Sequence, residues 1–316
     1  MKILSNLKIA FAIIGLTAFT ISCDNKDVPV DKNITVIAKS NPNLTMLVQA
    51  LVKADLAGTL EGTGPFTVFA PTNDAFTVFL QTTPYATINA IPKDVLKQIL
   101  LNHVVSGKVK STDLNTGYIK TLAKSATSGL NTMSMYVDVT SGVKINGIAK
   151  VTTADVLASN GVVHIVDAVI NLPSIVTHAT ANANFTSLVG ALTQTGQPNF
   201  VSILSGVGPF TVFAPTNEAF VALNNELSPG GIAGVSSTNL TKVLKYHVVS
   251  GNILAATLTE GQIVSTLQTP QTFSIQLSGG AKLKDNNNRI STIVATDVQC
   301  SNGVIHVLNQ VLLPSL

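Results

Sequence analysis

The chain has 316 residues, a length that allows two domains of ordinary size, each able to bury its own core. Charged residues make up only 11% and the mean hydropathy is +0.40, which excludes a disordered chain. The formal net charge is +3 and no basic stripe stands out, which argues against binding to nucleic acid through phosphate contacts.

The N-terminus has the layout of a secretory signal peptide. Lys2 and Lys8 precede an uncharged run from Ile9 to Ser22. A transmembrane helix needs about 20 apolar residues, so this run is too short to span a bilayer. We therefore expect residues 1–22 to be removed on export, which takes away two lysines and leaves a net charge of about +1.

The residues at the expected cleavage point resemble the lipobox of bacterial lipoproteins. Thr20-Ile21-Ser22-Cys23 ends in the cysteine that such a signal acylates, although Thr20 stands where leucine is commonest. The resemblance implies a lipid on Cys23 and a polar tether over residues 23–32. It also implies attachment to a bacterial membrane, and of the two membranes we favour the outer one. The alternative is an ordinary signal peptide with a chance cysteine nearby. Whether the protein faces the periplasm or the cell surface stays open.

The strongest feature of the sequence is an internal repeat. One long block recurs with a single change, from Asp to Glu, and two shorter blocks follow it at nearly constant spacing. The paired blocks are residues 64–76 and 208–220, 103–107 and 247–251, and 159–164 and 301–306. Three ordered blocks indicate a tandem duplication. We expect one domain over residues 33–173 and a second over residues 174–316.

The first half of each repeat is predicted to be helical around one short strand. In the first repeat, apolar residues at helical spacing from Leu44 to Val52 predict an amphipathic helix. Phe66–Phe69 predicts a strand, after which Thr72 caps a further helix. Pro92 suits the first position of another helix. The residues expected to face inward from this last helix are Val95, Leu96, Ile99 and Leu100.

The second half of each repeat is rich in predicted strands. Residues 143–151 alternate around Asn146-Gly147, a pair typical of a hairpin turn. Residues 285–288 are predicted to form the corresponding turn in the second repeat. Because helices come first and strands mostly later, the pattern predicts an α+β fold rather than a βαβ parallel sheet.

Together, these blocks resemble the signatures of fasciclin (FAS1) domains. The resemblance rests on FTVFAPTNDAF and FTVFAPTNEAF, on the His-Val-Val segments and on the SNGVxH segments, and it covers residues 33–173 and 174–316. It implies that each domain is a compact β-wedge or sandwich flanked by helices. It also implies an extracellular role in adhesion or matrix interaction, with no catalytic centre.

Adhesive members of that family are associated with two local segments, and the resemblance implies candidate binding residues at both. One is a Tyr-His segment, matched by Tyr246-His247 but replaced by Asn102-His103 in the first repeat. The other is an Asp-Ile pair, matched by Asp155-Val156 and Asp297-Val298 with valine in place of isoleucine. The alternative for both aspartates is a solvated turn or a cap.

The four repeated histidines are predicted to be internal scaffolding. His103 and His247 continue the apolar stripes of predicted helices, whereas His164 and His306 interrupt apolar strands. Histidines in such positions most often form hydrogen bonds within a core. No metal-binding or catalytic motif accompanies them, so we expect no metal, no cofactor and no enzyme activity.

The Thr-Asn pair in each long block is expected to hold a strand-to-helix junction rather than to bind a ligand. The two pairs are Thr72-Asn73 and Thr216-Asn217. If Cys23 carries a lipid, Cys300 is the only free thiol, and we expect it to be a small buried hydrophobic residue.

Two functions of different classes remain. In the first, the chain is an adhesion protein of the cell envelope that binds an extracellular protein or polysaccharide matrix, and two tethered copies of the domain add avidity. In the second, a pocket between the helices and the wedge binds a small ligand such as a lipid, haem or sugar. A broad exposed patch favours the first function, and a deep enclosed pocket favours the second.

Overall fold

The computed structural model describes residues 32–129 and 131–316, so the predicted signal peptide, Cys23 and most of the tether lie outside the described residues. The described chain folds into two domains in which helices come first and strands mostly later. The predicted α+β class is confirmed. Among the described residues, none of the helices combines the length and apolar character needed to cross a bilayer.

Domain 1 begins with short helices, and its sheet is built mainly from the second half. Its helices are α1 (Ile34–Ser40), α2 (Thr45–Lys53), α3 (Ala57–Glu61), α4 (Asn73–Gln81) and α5 (Lys93–Leu101). Its strands are β1 (Phe66–Pro71), β2 (Val104–Ser106), β3 (Gly117–Lys124), β4 (Thr132–Asp138), β5 (Lys144–Ile145), β6 (Ala149–Ala158) and β7 (Gly161–Val166). The described strands form one sheet in the order β2-β1-β7-β6-β5-β4-β3.

Domain 2 repeats this element order. Its helices are α6 (Ile175–Ala181), α7 (Thr186–Thr193), α8 (Phe200–Leu204), α9 (Asn217–Glu226) and α10 (Ser237–Tyr246). Its strands are β8 (Phe210–Pro215), β9 (Val248–Ser250), β10 (Ile263–Ser265), β11 (Thr272–Gln276), β12 (Lys282–Lys284), β13 (Ile290–Cys300) and β14 (Gly303–Leu308). The sheet order β9-β8-β14-β13-β12-β11-β10 matches that of domain 1 strand for strand.

One parallel pair forms the second and third strands from one edge of each sheet, and the sequence pattern did not predict it. β1 runs parallel to β7 in domain 1, and β8 runs parallel to β14 in domain 2. Each pair joins a strand near the start of its domain to the last strand of that domain. Their nearly continuous apolar sequences fit this position, because both faces of the pair are covered by the rest of the domain.

The Thr-Asn pair holds the junction between β1 and α4 through two different caps. The hydroxyl of Thr72 accepts the backbone N–H of Ala75 at 3.2 Å and so caps α4 itself. The Asn73 side chain instead caps the neighbouring helix α2, because its Oδ1 accepts the backbone N–H of Met46 at 2.9 Å. The corresponding bonds of Thr216 and Asn217, to Ala219 and Ser187, measure 3.3 and 2.9 Å.

Two apolar side chains that we expected to face inward are exposed instead. Val52 is 60% exposed and Val95 is 42% exposed. Each residue lies at the end of its helix's apolar arc, because successive residues turn by about 100° and the outermost member reaches the solvent. Pro92 also lies one residue earlier than expected, since it is the N-cap of α5 and not its first residue.

Both predicted turns are confirmed. Asn146 and Gly147, with φ angles of 48° and 71°, connect β5 to β6, which is the geometry that favours an Asn-Gly pair. In domain 2, residues 285–288 connect β12 to β13. There the buried Asp285 carboxylate accepts the backbone N–H groups of Asn287 and Arg289, each at 2.9 Å.

Candidate functional site

The two candidate aspartates occupy the same place in their domains, a β-bulge in the strand before the last one. The register of β6 against β7 shifts just before Val156, and that of β13 against β14 shifts just before Val298. At these bulges Asp155 and Asp297 have φ angles of 59° and 56°. Aspartate is one of the few residues that adopt this left-handed conformation readily. The bulge turns each aspartate out of the regular alternation of its strand.

A buried histidine holds each bulge in place. The backbone N–H of Asp155 donates to Nδ1 of His164 at 3.2 Å, and that of Asp297 donates to Nδ1 of His306 at 3.4 Å. On the other side of each ring, Nε2 donates to the carbonyl of Val109 or of Ile253, at 3.0 and 2.8 Å. Both rings are fully buried. The shared spacing of nine residues between aspartate and histidine was the sequence signal for this pairing, and our sequence analysis missed it.

The carboxylates hold the loop that follows β2 or β9. Asp155 accepts both the hydroxyl and the backbone N–H of Ser111, the latter at 2.8 Å. Partial burial pushes the pKa of Asp155 upward, but the hydrogen bonds from Ser111 outweigh it and keep this pKa below its ordinary value. Asp297 accepts the backbone N–H of Ala255 at 2.9 Å, and alanine offers no hydroxyl there. Each carboxylate therefore acts as a loop clamp.

Ser111, Asp155 and His164 are the residue types of a hydrolytic triad, but their geometry is wrong for one. The Ser111 hydroxyl is bonded to the carboxylate and not to an imidazole that would take its proton. His164 lies 4.0 Å from the carboxylate, and both of its ring nitrogens are engaged by backbone groups. This cluster holds the bulge and activates no nucleophile.

His103 and His247 join the end of a helix to the end of their domain. Nδ1 of His103 donates to the carbonyl of Ile99 at 2.8 Å, and Nε2 accepts the backbone N–H of Ile170 at 2.8 Å. His247 makes the same pair of bonds, to Val243 at 2.7 Å and to Leu312 at 2.9 Å. Burial lowers the pKa of each imidazole to about 4. Both rings are neutral at physiological pH.

The Tyr-His segment points into domain 2. Tyr246 is fully buried, and its hydroxyl donates to the carbonyl of Thr272 at 2.7 Å. Burial raises its pKa to about 12. At the same position in domain 1, Asn102 is also buried and bonds to Thr121 at 3.2 Å. Both residues tie a helix end to the sheet, so neither Tyr246 nor His247 is presented to a partner.

Comparison with known proteins identifies the repeated unit. The family model of the fasciclin domain matches residues 42–173 and 183–314, which together are most of the chain. The chain belongs to the fasciclin domain family. Both matches lie inside the two domains that the repeat predicted.

Relatives of this fasciclin protein include bacterial and animal proteins. It is 40% identical over 143 residues to Protein sll1483 of Synechocystis, an alignment that covers 45% of this chain and 74% of that protein. It is 27% identical over 260 residues to human periostin, an alignment that covers 81% of this chain and 29% of periostin. The chain therefore spans less than a third of periostin's length.

A solved structure contains a pair of domains with the same fold. It is the FAS1 domain pair from the insect cell adhesion molecule Fasciclin I, which matches 86% of this chain and 97% of its own with a TM-score of 0.53. Sequence identity is only 19%, so the likeness supports the fold alone. The expected FAS1-like fold of both domains is confirmed.

The two fasciclin domains pack against each other, and the contact lies at the bulge of domain 2. We call the outer side of β3 and β4 the hairpin face of domain 1, and the α6 and β13 side the bulge face of domain 2. The hairpin face comprises Tyr118, Lys120 and Ser134, and the bulge face comprises His178, Asp297 and Gln299. Sequence analysis did not predict this contact.

Hydrogen bonds and an aromatic contact join the two faces. Lys120 Nζ donates to the carbonyl of Asp297 at 2.6 Å, and the backbone N–H of Gln299 donates to Ser134 Oγ at 3.0 Å. The ring of Tyr118 meets that of His178 edge-on, with centroids 5.2 Å apart. The contact covers β13 backbone groups that would otherwise lie at an open edge.

The contact makes the two bulges differ in exposure. Val298 is buried in domain 2, and the Gln299 and Cys300 that follow it are fully buried, as expected for Cys300. In domain 1, Val156 and Leu157 are partly exposed, and the Asp155 side chain is 34% exposed. Of the candidate binding residues, only Asp155, Val156 and Asp297 therefore keep some access to solvent.

The described residues hold no metal-binding cluster, and their pockets are either small or open to solvent. Within residues 32–129 and 131–316, no group of three or more His, Cys, Asp or Glu side chains is arranged to hold a metal ion. A largely enclosed apolar cavity of about 60 Å³ lies in domain 2 beside Phe220, Leu240 and His247. A more open and partly polar groove of about 320 Å³ lies next to it, lined among others by Gln194 and Asn224. Pockets for small organic ligands measure about 300 Å³ or more and enclose most of the ligand, so the cavity is too small and the groove is too open.

The buried histidines predict a loss of stability in mild acid. The pKa of His103 and His247 is about 4 in the folded state and about 6.5 in the unfolded state. Above pH 6.5 neither state binds the proton, so their contribution to stability is complete. As the pH falls from 6.5 towards 4, the unfolded state takes up the proton first. The unfolding free energy then falls by about 1.4 kcal/mol per pH unit for each histidine.

Urea unfolding at pH 7 and at pH 5, together with the imidazole chemical shifts of the folded protein, measures this effect. We expect a lower urea midpoint at pH 5, although His103 and His247 are still neutral in the folded state. Midpoints near pH 6.5 for these two rings in the folded protein would contradict their assignment as buried, neutral bridges.

Proposed function

We propose that this chain is a non-enzymatic adhesion protein of the bacterial cell envelope that binds an extracellular protein or polysaccharide matrix. The observation that carries the proposal is the open bulge of domain 1. Asp155, Val156 and Leu157 are partly exposed there, whereas Val298 and Gln299, which correspond to Val156 and Leu157, are buried in domain 2. One adhesive segment of the family resemblance is thus presented to solvent on a rigid strand.

Two further observations support binding rather than catalysis. The ring nitrogens of His103, His164, His247 and His306 are all bonded to backbone groups, which leaves none of these rings free as a base. In addition, the solved domain pair belongs to Fasciclin I, an insect cell adhesion molecule. We extend that role to this chain as part of the proposal.

The small size of the enclosed cavity and the open shape of the groove beside it disfavour the alternative of a small-ligand protein. At about 60 Å³ the cavity is smaller than the roughly 150 Å³ cavity that is known to take up benzene in an engineered protein. A lipid chain or a haem does not fit such a space without a rearrangement of α9 and α10. Surface binding through the domain 1 bulge therefore ranks first.

The proposal includes a lipid anchor on Cys23 that holds the protein at a bacterial membrane, preferably the outer one. Its support is the lipobox-like sequence alone, because Cys23 lies outside the described residues. Buried acyl chains contribute about 0.8 kcal/mol per methylene group, so a multiply acylated cysteine holds a protein on a membrane essentially permanently.

Changing Cys23→Ala is expected to release the protein from the membrane fraction, because no acyl chain can then be attached. Cell fractionation and metabolic labelling with a fatty-acid probe measure the result, and globomycin treatment of the unchanged protein is expected to block its maturation. A Cys23→Ala protein that stays in the membrane fraction as fully as the unchanged one would refute the anchor.

Changing Leu157→Lys is expected to reduce the attachment of cells to matrix-coated surfaces about tenfold or more, because it places a charge at the centre of the open bulge. Val207→Lys is the matched control, since Val207 is 92% exposed in the loop before β8 and belongs to domain 2 rather than to the domain 1 bulge. Attachment counts under flow, with surface expression checked by antibody, provide the measurement. Equal attachment by both variants would argue against the bulge as the binding site.

A further inference from the structure

The contact between the two domains uses only half of the surface that the duplication provides. Each domain has a hairpin face and a bulge face, because the two domains share their element order and strand register. The internal contact consumes the hairpin face of domain 1 and the bulge face of domain 2. The bulge face of domain 1 and the hairpin face of domain 2 have no partner domain within the described chain.

Strand register identifies the hairpin face of domain 2. In domain 1, the pairs Tyr118–Tyr136 and Lys120–Ser134 flank a pair that points into the core, Ile119–Met135. In domain 2, the pairs Ile263–Ser274 and Ser265–Thr272 flank the core pair Val264–Phe273 in the same way. Ile263, Ser265 and Thr272 therefore stand at the positions of Tyr118, Lys120 and Ser134.

The helix caps identify the bulge face of domain 1. The Asn160 side chain accepts the first N–H of α1, from Ile34, and Asn302 accepts that of α6, from Ile175, each at 3.0 Å. Counting along the two helices from these caps shows that Ile37 occupies the position in domain 1 that His178 occupies in domain 2. Counting back along β6 and β13 from the same asparagines shows that Asp155 is equivalent to Asp297 and that Leu157 is equivalent to Gln299.

The residues on the two open faces differ from those in the internal contact in a matched way. Tyr118 meets His178 in the internal contact, and isoleucine replaces both, as Ile263 and Ile37. Leucine replaces the polar Gln299, as Leu157.

Other replacements on the open hairpin face keep or simplify its polar chemistry. Thr272 keeps the hydroxyl that Ser134 uses to accept an edge N–H. Ser265 removes the charge of Lys120. Both halves of a second contact have thus become apolar together, which is the pattern expected of surfaces that meet.

We propose that a second copy of this chain docks on the open faces, with the hairpin face of domain 2 in one molecule against the bulge face of domain 1 in the next. Ile263 supports this assignment, because this aliphatic side chain on a β-strand is 65% exposed. Its equivalent in domain 1, Tyr118, is packed in the internal contact. The intermolecular contact repeats the internal one. The inference goes beyond the proposed function, since it requires neither a matrix nor an anchor.

Such a contact joins two different faces and therefore leaves one face of each kind open on every pair. Repeated head-to-tail contacts of this kind build rows unless the rotation closes them into a ring. Each domain then meets its neighbours through the same contact, whether the neighbour belongs to the same chain or to the next. Inside such a row the bulge face of domain 1 is covered by the next molecule, so self-association competes with any matrix for that face.

Sedimentation velocity of the purified chain from residue 23 onward tests the proposal, with Cys23→Ser to prevent acylation. We expect the weight-average sedimentation coefficient to rise with concentration through the micromolar range. Ile263→Lys and Leu157→Lys are each expected to remain monomeric throughout, because each blocks one of the two faces. Val207→Lys serves as the control and is expected to associate as the unchanged chain does.

A mixture of the two blocked variants distinguishes this contact from any symmetric one. The Ile263→Lys chain keeps an open bulge face, and the Leu157→Lys chain keeps an open hairpin face. Their equimolar mixture is therefore expected to form dimers and nothing larger. Matching thermal unfolding curves for all the variants establish that each one is folded.

Three outcomes overturn the inference: a monomer at every concentration, association of Ile263→Lys equal to that of the unchanged chain, or a mixture that does not dimerise. If residues 23–31 occupy the bulge face instead of a second copy, the chain stays a monomer at every concentration. A monomeric chain whose Leu157→Lys variant still loses matrix attachment refutes the second copy and leaves the proposed function standing. If the unchanged chain self-associates while Leu157→Lys cells attach as well as unchanged cells, the second copy stands and the proposed matrix site is refuted.

Discussion

In each domain a buried imidazole accepts the backbone N–H of a bulged aspartate, and the candidate site depends on this bond. A non-glycine residue in the left-handed region costs of order 1 kcal/mol or more and persists only where its surroundings hold it. His164 and His306 supply that hold from inside the sheet. The bond requires the tautomer whose proton lies on Nε2, since only an unprotonated Nδ1 can accept.

The same bond connects distant parts of each domain. Through Nε2, His164 also holds the carbonyl of Val109, and Asp155 clamps Ser111 two residues later. The bulge, the last strand and the loop after β2 therefore form one unit. A residue on the open surface of this unit is presented in a fixed position, which lowers the entropic cost of binding a partner.

Local signals in the sequence predicted local structure well. Thr72 as a cap, the Asn146-Gly147 turn and the domain repeat depend on neighbouring residues or on self-similarity, and each is visible without a structure. The parallel pairing of β1 with β7 joins segments about 95 residues apart, and no short pattern encodes it. The site was predicted only by resemblance, which carries residue identities but not the direction of a side chain. Tyr246 shows the difference, because its ring turns into the core.

The internal contact could not be predicted because the two repeats are alike where they fold and differ where they meet. Tyr118 and Ile263 occupy equivalent positions on equivalent strands, as do Gln299 and Leu157 on the bulges. Duplication gave the chain two copies of one fold and two sets of surfaces. The hairpin face of domain 1 and the bulge face of domain 2 join the domains, and the other two faces remain for partners outside the chain.

The central claim is that domain 1 covers the bulge of domain 2 while its own bulge stays open. Amide hydrogen exchange of the dilute, monomeric chain at Gln299 and Leu157 tests it most directly. Because the Gln299 N–H is buried and donates to Ser134, we predict that it exchanges at least about tenfold more slowly than that of Leu157. Equal exchange at the two positions would contradict the claim.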